Sequence, residues 1–182
     1  GKGGYYSPEG KSMKSAFLKS PLRFTRISSR YSLSRRHPIL GGLHPHLGID
    51  YAAKTGTPVW SVADGVVQFV GWKGGYGRQV VIKHKGGYKT YYAHFSRFAR
   101  GIRKGVRVKQ KQIVGYVGAT GLATGPHLDF RVSKNGTFMN PLSVKYPGGD
   151  PIPKKYEKDF EKEKTRLISL FEDTSFERMK IN

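Results

Sequence analysis

The stretch His127-Leu128-Asp129-Phe130-Arg131-Val132 alternates polar and apolar side chains at every position. Successive residues of a β-strand point to opposite faces, so the three apolar residues suit a core-facing side and the three polar residues share the other. A histidine, a carboxylate and a guanidinium on one face do not make a core. The pattern therefore predicts a strand whose polar face lines a functional site, and a metal ion is one occupant that such side chains suit.

The residues between about 24 and 144 consist of short β-branched and aromatic runs that glycines interrupt. Asp64-Gly65 and Asn135-Gly136 are typical of two-residue hairpin turns. These features predict an all-β, mainly antiparallel sheet domain of the β-sandwich or open barrel-like type. The runs that favour strands are residues 58–63, 66–70, 79–83, 90–93 and 113–117.

Both ends of the chain differ from this middle part in composition. Residues 1–23 are polar and glycine-containing, and we predict that they form a linker or the remnant of a preceding domain, followed by the β domain over residues 24–146. Residues 147–182 begin with a proline- and glycine-rich hinge, after which apolar residues recur at helical spacing among charged ones. We predict one C-terminal amphipathic helix over residues 154–172 that packs on the domain or on a partner.

The chain is strongly basic, because 33 Lys and Arg against 12 Asp and Glu give a formal net charge of +21. Such a body attracts polyanions, and charge alone does not choose between nucleic acid, an anionic membrane face and an acidic cell-wall polymer. No RNA- or DNA-binding module is recognisable, so specific nucleic-acid binding is not expected. The absence of cysteine excludes disulfides and thiolate metal ligands. No run approaches the ~18 apolar residues of a transmembrane helix.

Three histidines and two aspartates lie in otherwise apolar stretches of the sequence. A zinc ion with three protein ligands and one open position supplies the polarised carbonyl and deprotonated water that amide hydrolysis needs at neutral pH. Neighbouring imidazoles can then handle protons or hydrogen-bond an oxyanion. Imidazole also suits iron, nickel or copper, whereas carboxylates favour harder ions. The five residues are His46, Asp50, His94, His127 and Asp129.

These residues and their surroundings resemble the lysostaphin/LytM-like peptidoglycan zinc metalloendopeptidases (LytM domain). The resemblance covers about residues 24–145, in the order and spacing of the family's motifs. The segments that carry it are His46 and Asp50 as HxxxD, Ser29-Arg30-Tyr31, His37-Pro38-Ile39-Leu40, Gly56-Thr57-Pro58-Val59 with Ala63-Asp64-Gly65 as a strand pair, Gly74-Gly75-Tyr76-Gly77, Tyr92-Ala93-His94 and Gly121-Leu122-Ala123-Thr124-Gly125-Pro126-His127.

The resemblance implies one zinc ion per chain and a role for each of the five residues. Asp129 stands where the family has the second histidine of an HxH motif. A second carboxylate would bring the formal charge of a zinc site from +1 to 0 and weaken the Lewis acid. Arg131 could compete with the metal for Asp129, or orient it. The implied metal ligands are His46, Asp50 and Asp129, and the implied catalytic residues are His94 and His127.

The implied activity is zinc-dependent cleavage of peptide crosslinks in bacterial peptidoglycan, in the periplasm or cell envelope. His127 would act as base or water-positioning residue, and His94 would stabilise the oxyanion. The alternative is a degenerate, non-catalytic relative that binds cell wall or regulates a partner, and Asp129 motivates it. Because the sequence begins at Gly1 without methionine, we expect a mature or trimmed fragment. An N-terminal regulatory domain in the full-length chain, a targeting segment and the oligomeric state are left open.

Three further histidines are interpreted from their sequence neighbours alone. His37 is predicted to line a groove. His44 is predicted to lie on the surface, although it is near enough to His46 to donate a replacement ligand. His84, in Ile82-Lys83-His84-Lys85, is predicted to be exposed.

Overall fold

The computed structural model describes residues 6–36, 42–144, 148–149 and 151–179. The chain forms two compact units, a β domain of residues 17–145 and a terminal unit of residues 1–16 with 146–182. The described residues include one α-helix, α1, which spans Glu157–Met179. The described strands, numbered along the chain, are β1 Ser12–Ser15, β2 Arg26–Ser29, β3 Ser32–Arg36, β4 Leu43–His46, β5 Ile49–Ala52, β6 Pro58–Trp60, β7 Gly65–Trp72, β8 Arg78–Lys83, β9 Tyr88–Ala93, β10 Phe95–Phe98, β11 Arg107–Val108, β12 Ile113–Val117, β13 His127–Lys134, β14 Thr137–Met139 and β15 Gly148–Gly149.

An antiparallel sheet forms the main layer of the β domain, with the strand order β11-β7-β8-β9-β13-β5-β2 and β14 attached to β13. A smaller sheet, β10-β12-β6, and the hairpin β3-β4 complete it. Strand β13 shows the alternation predicted for it: Leu128, Phe130 and Val132 are each at most 2% exposed on the core side. The all-β, mainly antiparallel prediction is confirmed.

Aromatic packing fixes the strands on which the polar face of β13 depends. The ring centroid of Phe130 lies 5.4 Å from that of Tyr92 and 6.4 Å from that of Tyr51. Full burial of such a side chain contributes on the order of 1.5–3 kcal/mol. Burial also raises the pKa of Tyr92 to about 12, and its hydroxyl accepts a hydrogen bond from the Val62 N–H at 3.2 Å.

The prediction that His84 is exposed is wrong, because its imidazole is 5% exposed and belongs to the core. Nδ1–H donates to the Asp64 carbonyl at 2.9 Å, and Nε2 lies 2.7 Å from Thr90 Oγ1. The centroid of the Phe17 ring lies 5.1 Å from that of the His84 ring. Both flanking lysines point to solvent, and the inward direction of His84 between them follows from these tertiary partners.

Of the two predicted hairpin turns, only Asn135-Gly136 is confirmed. It joins β13 to β14 with positive φ angles of 50° and 90°. Asp64-Gly65 joins β6 to β7, which lie in different sheets, so the predicted strand pair is wrong. Gly65 is required for close approach, since a Cβ there would lie 2.5 Å from the Lys83 carbonyl oxygen. The Asp64 carboxylate instead accepts a hydrogen bond from the Gln110 N–H at 2.7 Å.

The β domain includes residues 17–23, which the sequence assigned to the preceding linker. Phe17 and Leu22 are 4% and 3% exposed. The Leu18 N–H donates to the Val62 carbonyl at 2.7 Å, and the Trp60 N–H donates to Pro21 at 2.9 Å. This segment therefore contributes both core and backbone hydrogen bonds.

The terminal unit contains the β1-β15 pair and helix α1, which follows a 3-10 turn at Lys154–Tyr156. Phe160 of the helix contacts the Tyr6 ring edge to face at 6.2 Å. The backbone is helical to Met179, beyond the predicted end at residue 172. None of the described helices combines the length and apolar character needed to cross a membrane. The packing of the helix on the domain or on a partner stays a prediction.

Candidate metal centre

Neighbouring strands bring the three predicted ligand residues together. Strand β5 pairs antiparallel with β13 in a register that places Asp50 opposite Asp129, and β4 ends at His46. One donor atom from each of the three side chains lies within 4.8 Å of the other two. The structure thus groups these residues, and their assignment as ligands stays a prediction.

The environment of His46 calls for a cation between its ring and Asp50. His46 Nδ1–H donates to the Arg30 carbonyl at 3.0 Å, so in the neutral ring Nε2 carries a lone pair. That nitrogen lies 3.1 Å from Asp50 Oδ1, which is also an acceptor when ionised. Two acceptors at this distance need a proton or a metal ion between them. Burial, the largest single effect, acts to lower the pKa of His46, but the hydrogen bond and charge of Asp50, together with the Arg30 carbonyl and the Asp129 charge, leave the pKa raised.

The spacing of this donor pair and the hydrogen bond of the other His46 ring nitrogen both suit a zinc ion. Zinc takes four ligands at about 2.0–2.2 Å from nitrogen or oxygen, which separates neighbouring donors by roughly 3.3 Å in a tetrahedron. The 3.1 Å between His46 Nε2 and Asp50 Oδ1 fits that separation. A backbone carbonyl on the other ring nitrogen is the usual orienting partner of a metal-binding histidine. The donor set therefore fits a small divalent ion.

Asp129 is buried and forms a forked ion pair with Arg131. Nε–H of Arg131 lies 2.9 Å from Oδ1 and 3.1 Å from Oδ2, and Nη2–H donates to Oδ2 at 2.6 Å. Burial alone would raise the pKa of Asp129, but the guanidinium holds it below its ordinary value. The carboxylate is therefore kept ionised, as a metal ligand must be.

The two predicted catalytic histidines lie side by side, with ring centroids 4.6 Å apart. His127 Nδ1–H donates to the Gly125 carbonyl at 2.8 Å, and His94 Nδ1–H donates to the Thr120 carbonyl at 2.7 Å. In each neutral ring, Nε2 is consequently the proton acceptor. His127 Nε2 lies 3.9 Å from Asp50 Oδ1, next to the candidate ligands.

His94 is held in an uncommon backbone conformation at this site. Its φ is +62°, in the left-handed region that non-glycine residues seldom adopt, and its N–H donates to the Tyr76 carbonyl at 2.9 Å. The ring is buried, and burial together with the neighbouring His127 charge lowers its pKa. Strain of this kind persists where surrounding contacts fix it, and it often accompanies functional sites.

All five predicted site residues line one groove of about 630 Å³. His44 is exposed and lines the groove, whereas His37 lies outside the described residues. Sequence reasoning missed Thr120 and Tyr76 as partners of His94 and Arg131, although it noted the glycine-rich segment around Tyr76. The described lining residues are Ser28, Ser29, His44, Pro45, His46, Asp50, Gly75, Tyr76, His94, Leu122, Thr124, His127, Asp129 and Arg131.

Comparison with known proteins identifies the family of this chain. Residues 44–141 match Peptidase family M23. The chain belongs to peptidase family M23. It is 42% identical over 158 residues to the peptidoglycan DD-endopeptidase ShyC of Vibrio cholerae, a match that covers 87% of this chain and 36% of ShyC. The predicted family resemblance is therefore confirmed.

Solved structures share the fold of this chain. A zinc containing peptidase from Vibrio cholerae aligns with a TM-score of 0.68 at 35% identity, covering 80% of this chain and 45% of that one. The catalytic domain of lysostaphin from Staphylococcus simulans aligns with a TM-score of 0.56 at 31% identity, covering 64% of this chain and 89% of that one. This M23 chain spans about a third of the length of the curated relatives it matches.

Proposed function

We propose that this M23 chain is a zinc-dependent endopeptidase that cleaves peptide crosslinks of bacterial peptidoglycan outside the cytoplasm. The observation that carries the proposal is the approach of His46 Nε2 and Asp50 Oδ1 to 3.1 Å beside the buried Asp129 carboxylate. A proton or a metal ion is needed between these two atoms, and both residues line the groove. The names of ShyC and of the Vibrio zinc peptidase support the choice of substrate and metal.

One zinc ion per chain would be held by His46, Asp50 and Asp129. When bound, zinc polarises a carbonyl and makes a coordinated water acidic enough to attack near neutral pH. The protein's part is to hold the His46 ring in the tautomer with a lone pair on Nε2 and to hold the Asp129 carboxylate ionised. The Arg30 carbonyl and the Arg131 guanidinium perform these two tasks.

His127 is the proposed general base, because its Nε2, which carries the lone pair of the neutral ring, lies 3.9 Å from Asp50 Oδ1, one of the proposed ligand atoms. Its Nδ1–H is committed to the Gly125 carbonyl, so a proton taken from the attacking water would be held at Nε2. From there it can be given to the leaving amine. The peptide bond is then broken with no net gain or loss of protons at His127.

His94 is the proposed partner of the oxyanion that forms during the attack. With Nδ1–H bound to Thr120, only a proton at Nε2 allows this ring to donate toward the groove. The lowered pKa keeps the resting ring neutral, so His94 begins as an acceptor that positions water. A proton taken up from solvent at Nε2 would make His94 a donor to the oxyanion, and that proton would return to solvent when the oxyanion collapses.

The decisive experiment is digestion of purified crosslinked muropeptide dimers, followed by chromatography and mass spectrometry. We expect the zinc-loaded chain to convert dimers to monomers, and chelation or His46→Ala to abolish the conversion. Lys158→Gln, at an exposed position of helix α1, is the control that retains activity. Intact dimers with folded, zinc-loaded protein would contradict the proposal and leave the alternative of a non-catalytic cell-wall-binding relative, which the M23 comparisons do not favour.

A further inference from the structure

We propose that Arg131 is a positioning residue, and that Asp129 and Arg131 act together as one neutral unit in metal binding. The proposal rests on the zinc site proposed above and concerns how an aspartate serves there. The ion pair is well removed from solvent, since the two side chains are 5% and 14% exposed. A pair this buried stays together, because separating it would leave an uncompensated charge inside the protein.

The fork leaves coordination capacity on the carboxylate. An ionised carboxylate offers about four lone-pair sites. Arg131 directs two contacts at Oδ2, at 2.6 and 3.1 Å, and one at Oδ1, at 2.9 Å. A metal ion and the guanidinium can therefore bind Asp129 at the same time. Arg131 limits Asp129 to one coordinating oxygen and fixes its direction.

The surrounding chain is shaped to hold this pair. Nη1–H of Arg131 donates to the Tyr76 hydroxyl at 2.8 Å, and the guanidinium carbon lies 4.5 Å from the centre of the Tyr76 ring. A Cβ added at Gly48 would lie 2.6 Å from Arg131 Cγ and 2.7 Å from Asp129 Oδ1. The glycine between the two HxxxD ligands thus provides the space that the pair occupies.

The sum of the formal charges at the site predicts how the Asp129–Arg131 pair affects metal binding. A divalent ion with the Asp50 and Asp129 carboxylates sums to zero, and Arg131 brings the sum to +1. A divalent ion with one carboxylate and two neutral imidazoles has the same sum of +1. Asp129→His by itself would therefore leave a buried, unpaired guanidinium beside the ion and a sum of +2. Asp129→His combined with Arg131→Gln returns the sum to +1.

The test is a double-mutant cycle on zinc affinity, measured by competition with a chromophoric chelator and accompanied by thermal unfolding of the metal-free proteins. We expect Asp129→His to bind zinc at least about tenfold more weakly than Asp129→His/Arg131→Gln, in line with the usual effect of disturbing groups behind a metal ligand. Asp129→His/Arg103→Gln has the same net charge as that double variant but changes an exposed arginine, and we expect no recovery.

Equal zinc affinity of Asp129→His with and without Arg131→Gln would overturn the proposal. The proposal would also be overturned if the effects of the two substitutions on the free energy of zinc binding were additive while their effects on thermal stability were not. The pair would then be purely structural. If Asp129→His does not fold, the comparison of Asp129→Asn with Asp129→Asn/Arg131→Gln replaces it, since asparagine keeps the size of aspartate. A chain that shows the predicted cycle but cleaves no muropeptide would refute the endopeptidase activity alone.

Discussion

Asp50 and Asp129 lie directly opposite each other on the paired strands β5 and β13. Two carboxylates are thereby brought to one small site, where their mutual repulsion opposes folding unless positive charge is present. The His46 ring contacts the Asp50 carboxylate, and Arg131 forms an ion pair with the Asp129 carboxylate. The register of one strand pair thus brings together two negative charges that a bound cation would balance.

Zinc is therefore expected to stabilise the fold as well as to support activity. A ligand that binds only the folded state at a hundred times its Kd adds about 2.7 kcal/mol. We expect added zinc to raise the thermal midpoint of the wild-type chain and to have no effect on His46→Ala. His44→Ala should respond like wild type, and loss of its response would make His44 a ligand.

Gly48→Ala is expected to destabilise the protein and weaken zinc binding. The added Cβ would also lie 2.9 Å from the Phe130 carbonyl oxygen, so backbone as well as side chains would have to move. Overpacking of this kind costs about 1–3 kcal/mol. The matched control is Gly125→Ala, where a Cβ meets nothing within 4 Å. Urea unfolding of both variants measures the difference, and equal midpoints would contradict the steric role of Gly48.

The pH dependence of stability should contain a contribution from His84. Burial lowers its pKa in the folded protein, against a weaker opposing effect of the Asp64 carbonyl hydrogen bond. The unfolded chain therefore binds the proton first as pH falls. The stabilising contribution of neutral His84 is fully present above the ordinary histidine pKa of about 6.5. It is lost as the pH falls from that value to the lower pKa of the folded state.

His84→Asn tests this contribution, because asparagine keeps a donor for the Asp64 carbonyl but does not titrate. The variant should be less stable than wild type at pH 8, by roughly 1–3 kcal/mol for the disturbed buried hydrogen bonds. Chemical unfolding at intervals between pH 8 and 5 should show that the difference narrows on acidification. A difference that is constant with pH would show that His84 does not titrate in the folding equilibrium.

The sequence predicted those parts of the site that depend on local periodicity. Period-2 alternation placed Asp129 and Arg131 on one face of β13, and Asn135-Gly136 identified the turn that ends the strand. The predictions of a hairpin turn at Asp64-Gly65 and of an exposed His84 were wrong for a shared reason. Gly65 serves the close approach of Lys83, and His84 turns inward to Asp64 and Thr90, so both depend on partners far away in sequence. No local pattern contains such partners.

The basic surface of the β domain should govern its attraction to carboxylate-rich peptidoglycan. Residues 97–111 contain seven Lys and Arg and no Asp or Glu. Within this segment, Lys109 lies 3.5 Å from the Asp64 carboxylate. Exposed charges attract a distant polyanion only weakly once the Debye length falls to about 10 Å at 0.1 M salt. We expect Arg100→Gln/Arg103→Gln/Lys104→Gln to bind purified sacculi several-fold more weakly at low salt and to match wild type at 0.5 M, roughly where screening is complete.

Cosedimentation with sacculi over a salt series measures this effect, with zinc loading held constant. The matched control is Lys154→Gln/Lys155→Gln/Lys158→Gln, which removes the same charge from the terminal unit, where acidic residues are interspersed. We expect that control to follow the wild-type curve at every salt concentration. Equal weakening by both triple variants would mean that net charge alone attracts the polymer, and that residues 97–111 form no specific contact surface.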